Sequence, residues 1–274
     1  MNKGDHRGSF GFTIVETMIV LAVTGALFVA IAATLSGRQN EAEFIHAIND
    51  AKAQIQQVIN QASASYYPDG NEINCTVTGT KLIVTSPSNV SQGTNQPCVF
   101  LGSVIQFGIG QTNPEQYRVY TVVGINCTPP NCTSPTGSPF QNVDPTVGDF
   151  SYNTGALEYG LTAQLTGSGN STGAIGFLME PGSTSTTSID GYNSGAQPVD
   201  LVIVNSGLGQ TPSSDVTSIN KSLDVPSGLA TNPSGGWQIC LVSGGTNQSG
   251  LISIGGSGGT LQVSLRIKGN QTCT

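Results

Sequence analysis

The stretch Gly11–Leu35, GFTIVETMIVLAVTGALFVAIAATL, decides how the rest of the chain is read. From Phe12 to Leu35 the one ionisable side chain is Glu16. About 24 residues rising about 1.5 Å each make a helix of about 36 Å, long enough to cross a bilayer. A carboxylate inside such a span costs about 2.5–3.5 kcal/mol on insertion scales. Glu16 therefore needs a partner, and the neighbouring sequence offers none. The plainer alternative is that Glu16 only stabilises the helix start through the macrodipole.

Met1–Gly11 is a short polar leader in which Lys3, His6 and Arg7 stand against Asp5. Its weak positive balance favours a cytoplasmic leader with the remainder exported. A cleaved secretory signal peptide has an apolar region of about 7–15 residues ending in small residues. Ala30–Ala33 offers small residues, but the run is too long and charge does not gather ahead of it.

A leader ending in Gly11, then Phe12, then Glu16 four residues on, then about twenty apolar residues, resembles the type IV prepilin signature shared by type IV pilins and type II secretion pseudopilins. Thr13 and Gly25 also stand where many members carry Thr and Gly. The resemblance implies cleavage between Gly11 and Phe12 by a prepilin peptidase and N-methylation of Phe12. It implies that Glu16 pairs with the N-terminal ammonium of a neighbouring subunit, with Thr13 beside it in the assembly segment. The implied partners are other pilin subunits, the peptidase, an inner-membrane assembly platform and the membrane itself. The chain would then be a single-pass inner-membrane precursor with its C-terminal domain outside, and afterwards part of an extracellular filament. Many pilins carry a proline eight residues after the position of Gly25; here Ala33 stands there. An interior proline costs roughly 3 kcal/mol of helix stability, so this helix is expected to be more continuous.

From Gly37 the sequence turns polar but keeps helical spacing. Ile45, Ile48, Ala51, Ile55, Ile59, Ala62 and Tyr66 form an amphipathic stripe, with Glu41, Glu43, Asp50, Lys52, Gln56 and Asn60 largely off it. The spacing predicts one helix from Phe12 to about Ser65, ending before the turn signal Pro68-Asp69-Gly70. The chain thus divides into a removed leader (1–11), an apolar helix (12–35), an amphipathic continuation (36–66) and a globular head (67–274).

The head is sparsely charged and rich in Ser, Thr, Asn and Gly. Short alternating or β-branched runs recur between turn clusters, which predicts strands. They fall near Ile73–Thr78, Thr80–Thr85, Cys98–Ile109, Tyr117–Ile125, Leu157–Gln164, Ala174–Met179, Val199–Val204, Trp237–Val242, Leu251–Ile254 and Leu261–Lys268. In the last, Leu261, Val263, Leu265 and Ile267 alternate with Gln262, Ser264, Arg266 and Lys268. Thr128–Asp149, Pro181–Pro198 and Asn205–Gly235 read as loops, with a short helix possible at Asp215–Leu223. The expected class is α+β: a long N-terminal helix packed on an antiparallel, β-rich domain.

Cys75, Cys98, Cys127, Cys132, Cys240 and Cys273 all lie beyond the apolar span, on the side where disulfides persist. Six cysteines allow 15 connectivities. Sequence order suggests Cys75–Cys98, Cys127–Cys132 and Cys240–Cys273, the last resembling the C-terminal disulfide loop of many pilins. Free thiols are the alternative.

Enzyme motifs are weak. Gly255-Gly256-Ser257-Gly258-Gly259 formally matches a nucleophile elbow, yet it joins two strands and the remaining histidine, His46, sits on the helix. Asp144, Asp149, Asp215 and Asp224 read as ordinary loop acids. No CxxC and no calcium-loop pattern is present, so neither metal nor cofactor is expected. Removing Lys3, Asp5 and Arg7 with the leader takes the formal charge from −7 to −8. That argues against a broad nucleic-acid surface, which needs a positive field. Arg266 and Lys268 are the exception, a weak likeness to the basic C-terminal patch of some DNA-capturing minor pilins. A non-enzymatic filament subunit is therefore expected. A tip-located adhesin or DNA-capture subunit and a secretion pseudopilin remain as alternatives.

Overall fold

A computed structural model describes residues 13–63, 74–78, 81–85, 98–109, 113–126, 143–165, 173–178, 200–204, 208, 211–224, 237–244, 248–255 and 262–269. One long N-terminal helix is followed by antiparallel β-sheets. The chain divides into two compact units, Met1–Ile45 and His46–Thr274.

Helix α1 runs from Ile14 to Ser63. No proline interrupts it. In the second unit the amphipathic stripe holds: Ile48, Ala51, Ile55, Ile59 and Ala62 are buried. Ala47 and Val58 join them, widening the stripe beyond the sequence expectation. Ile48 lies against Gly250, where a methyl group would collide with the Ile48 side chain. Tyr66 lies outside the described residues.

Eleven strands follow among the described residues. β1 (Asn74–Thr78) and β2 (Lys81–Thr85) form a two-stranded hairpin. β3 (Cys98–Ile109), β4 (Asn113–Asn126), β5 (Val143–Ala156), β7 (Gly173–Leu178) and β8 (Asp200–Val204) form a sheet in the order β5-β4-β3-β7-β8. β6 (Leu161–Leu165), β9 (Trp237–Ser243), β10 (Gln248–Ile254) and β11 (Val263–Gly269) form a second sheet in the order β11-β10-β9-β6.

A bulge in β3 shapes the core of the larger sheet. Phe100 pairs with Val123 and Gly102 with Val122, so Leu101 is the extra residue. Gly102 sits at φ 147°, and a Cβ there would strike the carbonyl oxygen of Phe177. The bulge lets Leu101 and Val104 share one buried cluster with Tyr120, Val122, Val147, Ala174 and Leu178. Helix α2 (Pro212–Asp224) closes that cluster with Val216, Ile219 and Leu223.

Three sequence expectations are corrected here. Val143–Asp149 is not loop but the first half of β5, whose Pro145 and glycines disguised it. Pro is tolerated on such an edge strand. The helix expected at Asp215–Leu223 begins three residues earlier, because Thr211 caps it. The Ser214 amide donates to the Thr211 hydroxyl (3.3 Å) and the Thr211 amide to the Ser214 hydroxyl (3.0 Å). Leu157–Gly160 is not strand: Glu158–Gly160 forms a 3-10 turn, with Tyr159 at φ 55°, and β6 begins at Leu161.

Candidate functional site

Residues 13–31 carry the features that single out the N-terminal helix. Thr13 is its N-cap, accepting a hydrogen bond from the Glu16 amide at 3.3 Å. The Thr17 amide donates to the Thr13 carbonyl at 3.2 Å, the first turn of the backbone ladder. Thr13-x-x-Glu16 is the spacing of a capping box, in which the acid would reach back to the cap residue's amide. Only the threonine half is made: among the described residues the Glu16 carboxylate has no partner and stands exposed.

The other polar side chains of this stretch are satisfied within the helix. Thr17 donates its hydroxyl to the Ile14 carbonyl at 2.9 Å, and Thr24 to Val20 at 2.8 Å and Leu21 at 3.1 Å. Such back-bonding removes the hydroxyls' demand for water. The apolar side chains, by contrast, face outward: Ile14 is 75% exposed and Phe28 74%. Met18, Ile19, Leu21, Leu27 and Ile31 are exposed as well. A run this large is a surface in want of a covering, whether lipid or protein. The helix is long and apolar enough to cross a membrane, and none of its most apolar window is buried. What remains is a self-satisfied apolar rod carrying one carboxylate with no partner among the described residues.

Gly11 and Phe12 lie outside the described residues, as do Cys127, Cys132 and Cys273. Cys75 stands on β1 opposite Val84, and Cys98 on β3 opposite Ile125. Cys240 is buried on β9 and is disulfide-bonded. Arg266 is exposed on β11 opposite Leu251, and Lys268 stands opposite Ser249. Among the described residues no three of His, Cys, Asp and Glu converge on a point that could hold a metal ion.

One cluster escaped the sequence reading. Asp215, expected to be a loop acid, is on α2 and wholly buried. Its Oδ2 accepts from Gln106 Nε2 at 2.9 Å and faces Arg118 Nη1 at 3.5 Å. Gln106 Oε1 accepts in turn from the Tyr120 hydroxyl at 2.9 Å. Gln106 and Arg118 are direct cross-strand neighbours, which places both under the first turn of α2. No periodicity announces a polar residue at a helix–sheet contact; the available signal was a lone Gln in the apolar second half of β3 and an Arg between Tyr117 and Val119 of β4. The cluster ties α2 to the sheet and is structural. Asp144 and Asp149 likewise belong to β5 and not to a loop.

The sequence matches no protein-family model, no curated protein and no solved structure.

Proposed function

We propose that this chain is a type IV pilin-like subunit: a non-enzymatic protein made as a single-pass membrane precursor and assembled into a filament through its N-terminal helix. The observation that carries the reading is Glu16, a carboxylate without a partner among the described residues, on a helix whose hydroxyls are already satisfied. Thr13 supports it by capping the helix itself, which leaves the acid available to a neighbour. Leader removal between Gly11 and Phe12 would create an α-ammonium one helical turn from Glu16. A staggered copy could then bring ammonium and carboxylate together. Their attraction is strong at low dielectric, but desolvation offsets much of it. The pair therefore acts in setting register more than in adding stability.

The anchor is the helix from Ile14 onward, and the globular unit would lie on the outer side of the inner membrane before assembly. A prepilin peptidase and an inner-membrane assembly platform are the partners this reading requires. Glu16→Leu tests it. The variant is expected to insert and to lose its leader, with mass spectrometry giving a mature start at Phe12, yet to be missing from filaments. Normal incorporation of Glu16→Leu, or a mature start elsewhere, overturns the reading.

A further inference from the structure

β11 is one of the two edge strands of its sheet and pairs only with β10 among the described residues. An edge of this kind presents unmade backbone hydrogen bonds to solvent. The larger sheet treats its own edge differently. At β5 the Val147 amide donates to Asn220 Oδ1 at 2.7 Å, and the Val147 carbonyl accepts from Asn220 Nδ2 at 3.0 Å. There the helix α2 occupies the position of a missing strand. Among the described residues no such cover lies on β11.

The two faces of β11 differ in chemistry. Val263 and Leu265 are half-buried, and Ile267 is 46% exposed, so an apolar row runs along the margin of the sheet. Across the register this row continues Ile254, Ile252 and Gly250 of β10. On the opposite face Gln262, Ser264 and Arg266 are exposed. Arg266 is a cation on a chain whose formal charge is −7. A cation on an edge strand commonly guards against pairing with another copy. An antiparallel second β11 centred on Leu265 would set Arg266 diagonally beside its own duplicate, and like charges there repel. An acidic strand converts that repulsion into attraction. The edge thus discriminates against itself and in favour of an anionic partner.

We propose that β11 is a strand-accepting edge for an extended acidic segment of a partner protein. The segment adds a strand to the sheet by backbone hydrogen bonding. Its alternate apolar side chains prolong the Val263, Leu265 and Ile267 row, and its carboxylates meet Arg266. The proposal goes beyond the filament reading and does not depend on it, because every residue involved belongs to the globular unit.

The test uses the full-length chain in detergent and a labelled peptide, Glu-Val-Glu-Ile-Glu-Val-Glu, followed by fluorescence anisotropy. Saturable binding that weakens with added salt is expected, and the Lys-for-Glu counterpart should bind at least roughly tenfold more weakly. Arg266→Glu should weaken the acidic peptide roughly tenfold, and Arg266→Lys should restore most of the loss. Far-UV circular dichroism of both variants establishes that the fold survives. Equal binding of the two peptides, or no effect of Arg266→Glu in a folded protein, overturns the proposal. So does binding of a short DNA duplex in place of the acidic peptide, which would assign the cation to phosphate instead.

Discussion

Asn220 of α2 pairs with the backbone of Val147 on β5 as a neighbouring strand would, its amide oxygen accepting at 2.7 Å and its amide nitrogen donating at 3.0 Å. One side chain thereby satisfies both polar groups of a residue that is 1% exposed. Removing it leaves two buried backbone groups unpaired, each worth about 1–3 kcal/mol. Asn220→Ala is therefore expected to lower the unfolding free energy by about 2–6 kcal/mol, measured by urea denaturation. Asn220→Asp keeps the acceptor but sets a carboxylate against the Val147 carbonyl, so it should be at least as damaging. Native-state hydrogen exchange supplies a local check: the Val147 amide should lose protection in both variants. Unchanged exchange there would mean that another group serves the strand.

The buried Asp215 gives a second prediction. Truncating one member of a buried pair costs about 3–5 kcal/mol because the other is left desolvated. Asp215→Ala removes the carboxylate that accepts from Gln106 and faces Arg118, so α2 should be the first element to loosen. Replacing the pair together, as Asp215→Leu with Arg118→Met, should cost much less than the two single losses added. A double-mutant cycle by chemical denaturation reads this directly, since contacting residues couple by about 0.5–3 kcal/mol. Additive losses would show that the 3.5 Å contact contributes little.

These two contacts also mark where sequence reading stops. The long helix was legible because both of its patterns are local: an uninterrupted apolar run to Leu35, then apolar residues at steps of three and four through Ala62. Most strands were legible from their β-branched runs and the turn residues between them. β5 was not, because Val143-Asp-Pro-Thr-Val-Gly-Asp reads locally as turn, and only pairing with β4 makes it a strand. The burial of Asp215 depends on partners 97 and 109 residues away, which no window can contain. At the candidate site the acid itself stood out in sequence. That Thr13 would cap the helix and leave the acid without a partner among the described residues needed coordinates.

Glycines in different settings should respond in opposite ways. Gly102 combines φ 147° with a β-carbon position that runs into the Phe177 carbonyl. Gly102→Ala must either flatten the bulge or push β7 away, and both disturb Leu101 and Val104. A loss of about 2–4 kcal/mol is expected, in the range of severe core substitutions. At Gly25 an added methyl meets nothing within 4 Å. Gly25→Ala should raise helix stability by about 0.5–1 kcal/mol, seen as equal or higher helicity in detergent. A Gly102→Ala protein as stable as the parent would contradict the bulge geometry.

Alkaline pH should probe the sheet through Tyr117. Burial raises its phenol pKa above the ordinary value of 10.0. The ring stands opposite Phe107, 6.5 Å between centroids, on the β3–β4 pair. A raised folded-state pKa means that the native protein keeps a proton the unfolded chain releases. The associated stability is complete below the unfolded value and is lost as pH rises from about 10 through the folded pKa. Urea midpoints should thus be flat toward neutral pH and fall above about pH 10. Tyr117→Phe keeps the ring and removes the proton, so the alkaline fall should shrink while neutral stability changes by less than about 1 kcal/mol. If the variant lost stability above pH 10 as steeply as the parent, the phenol of Tyr117 would not be the group whose ionisation opens the sheet.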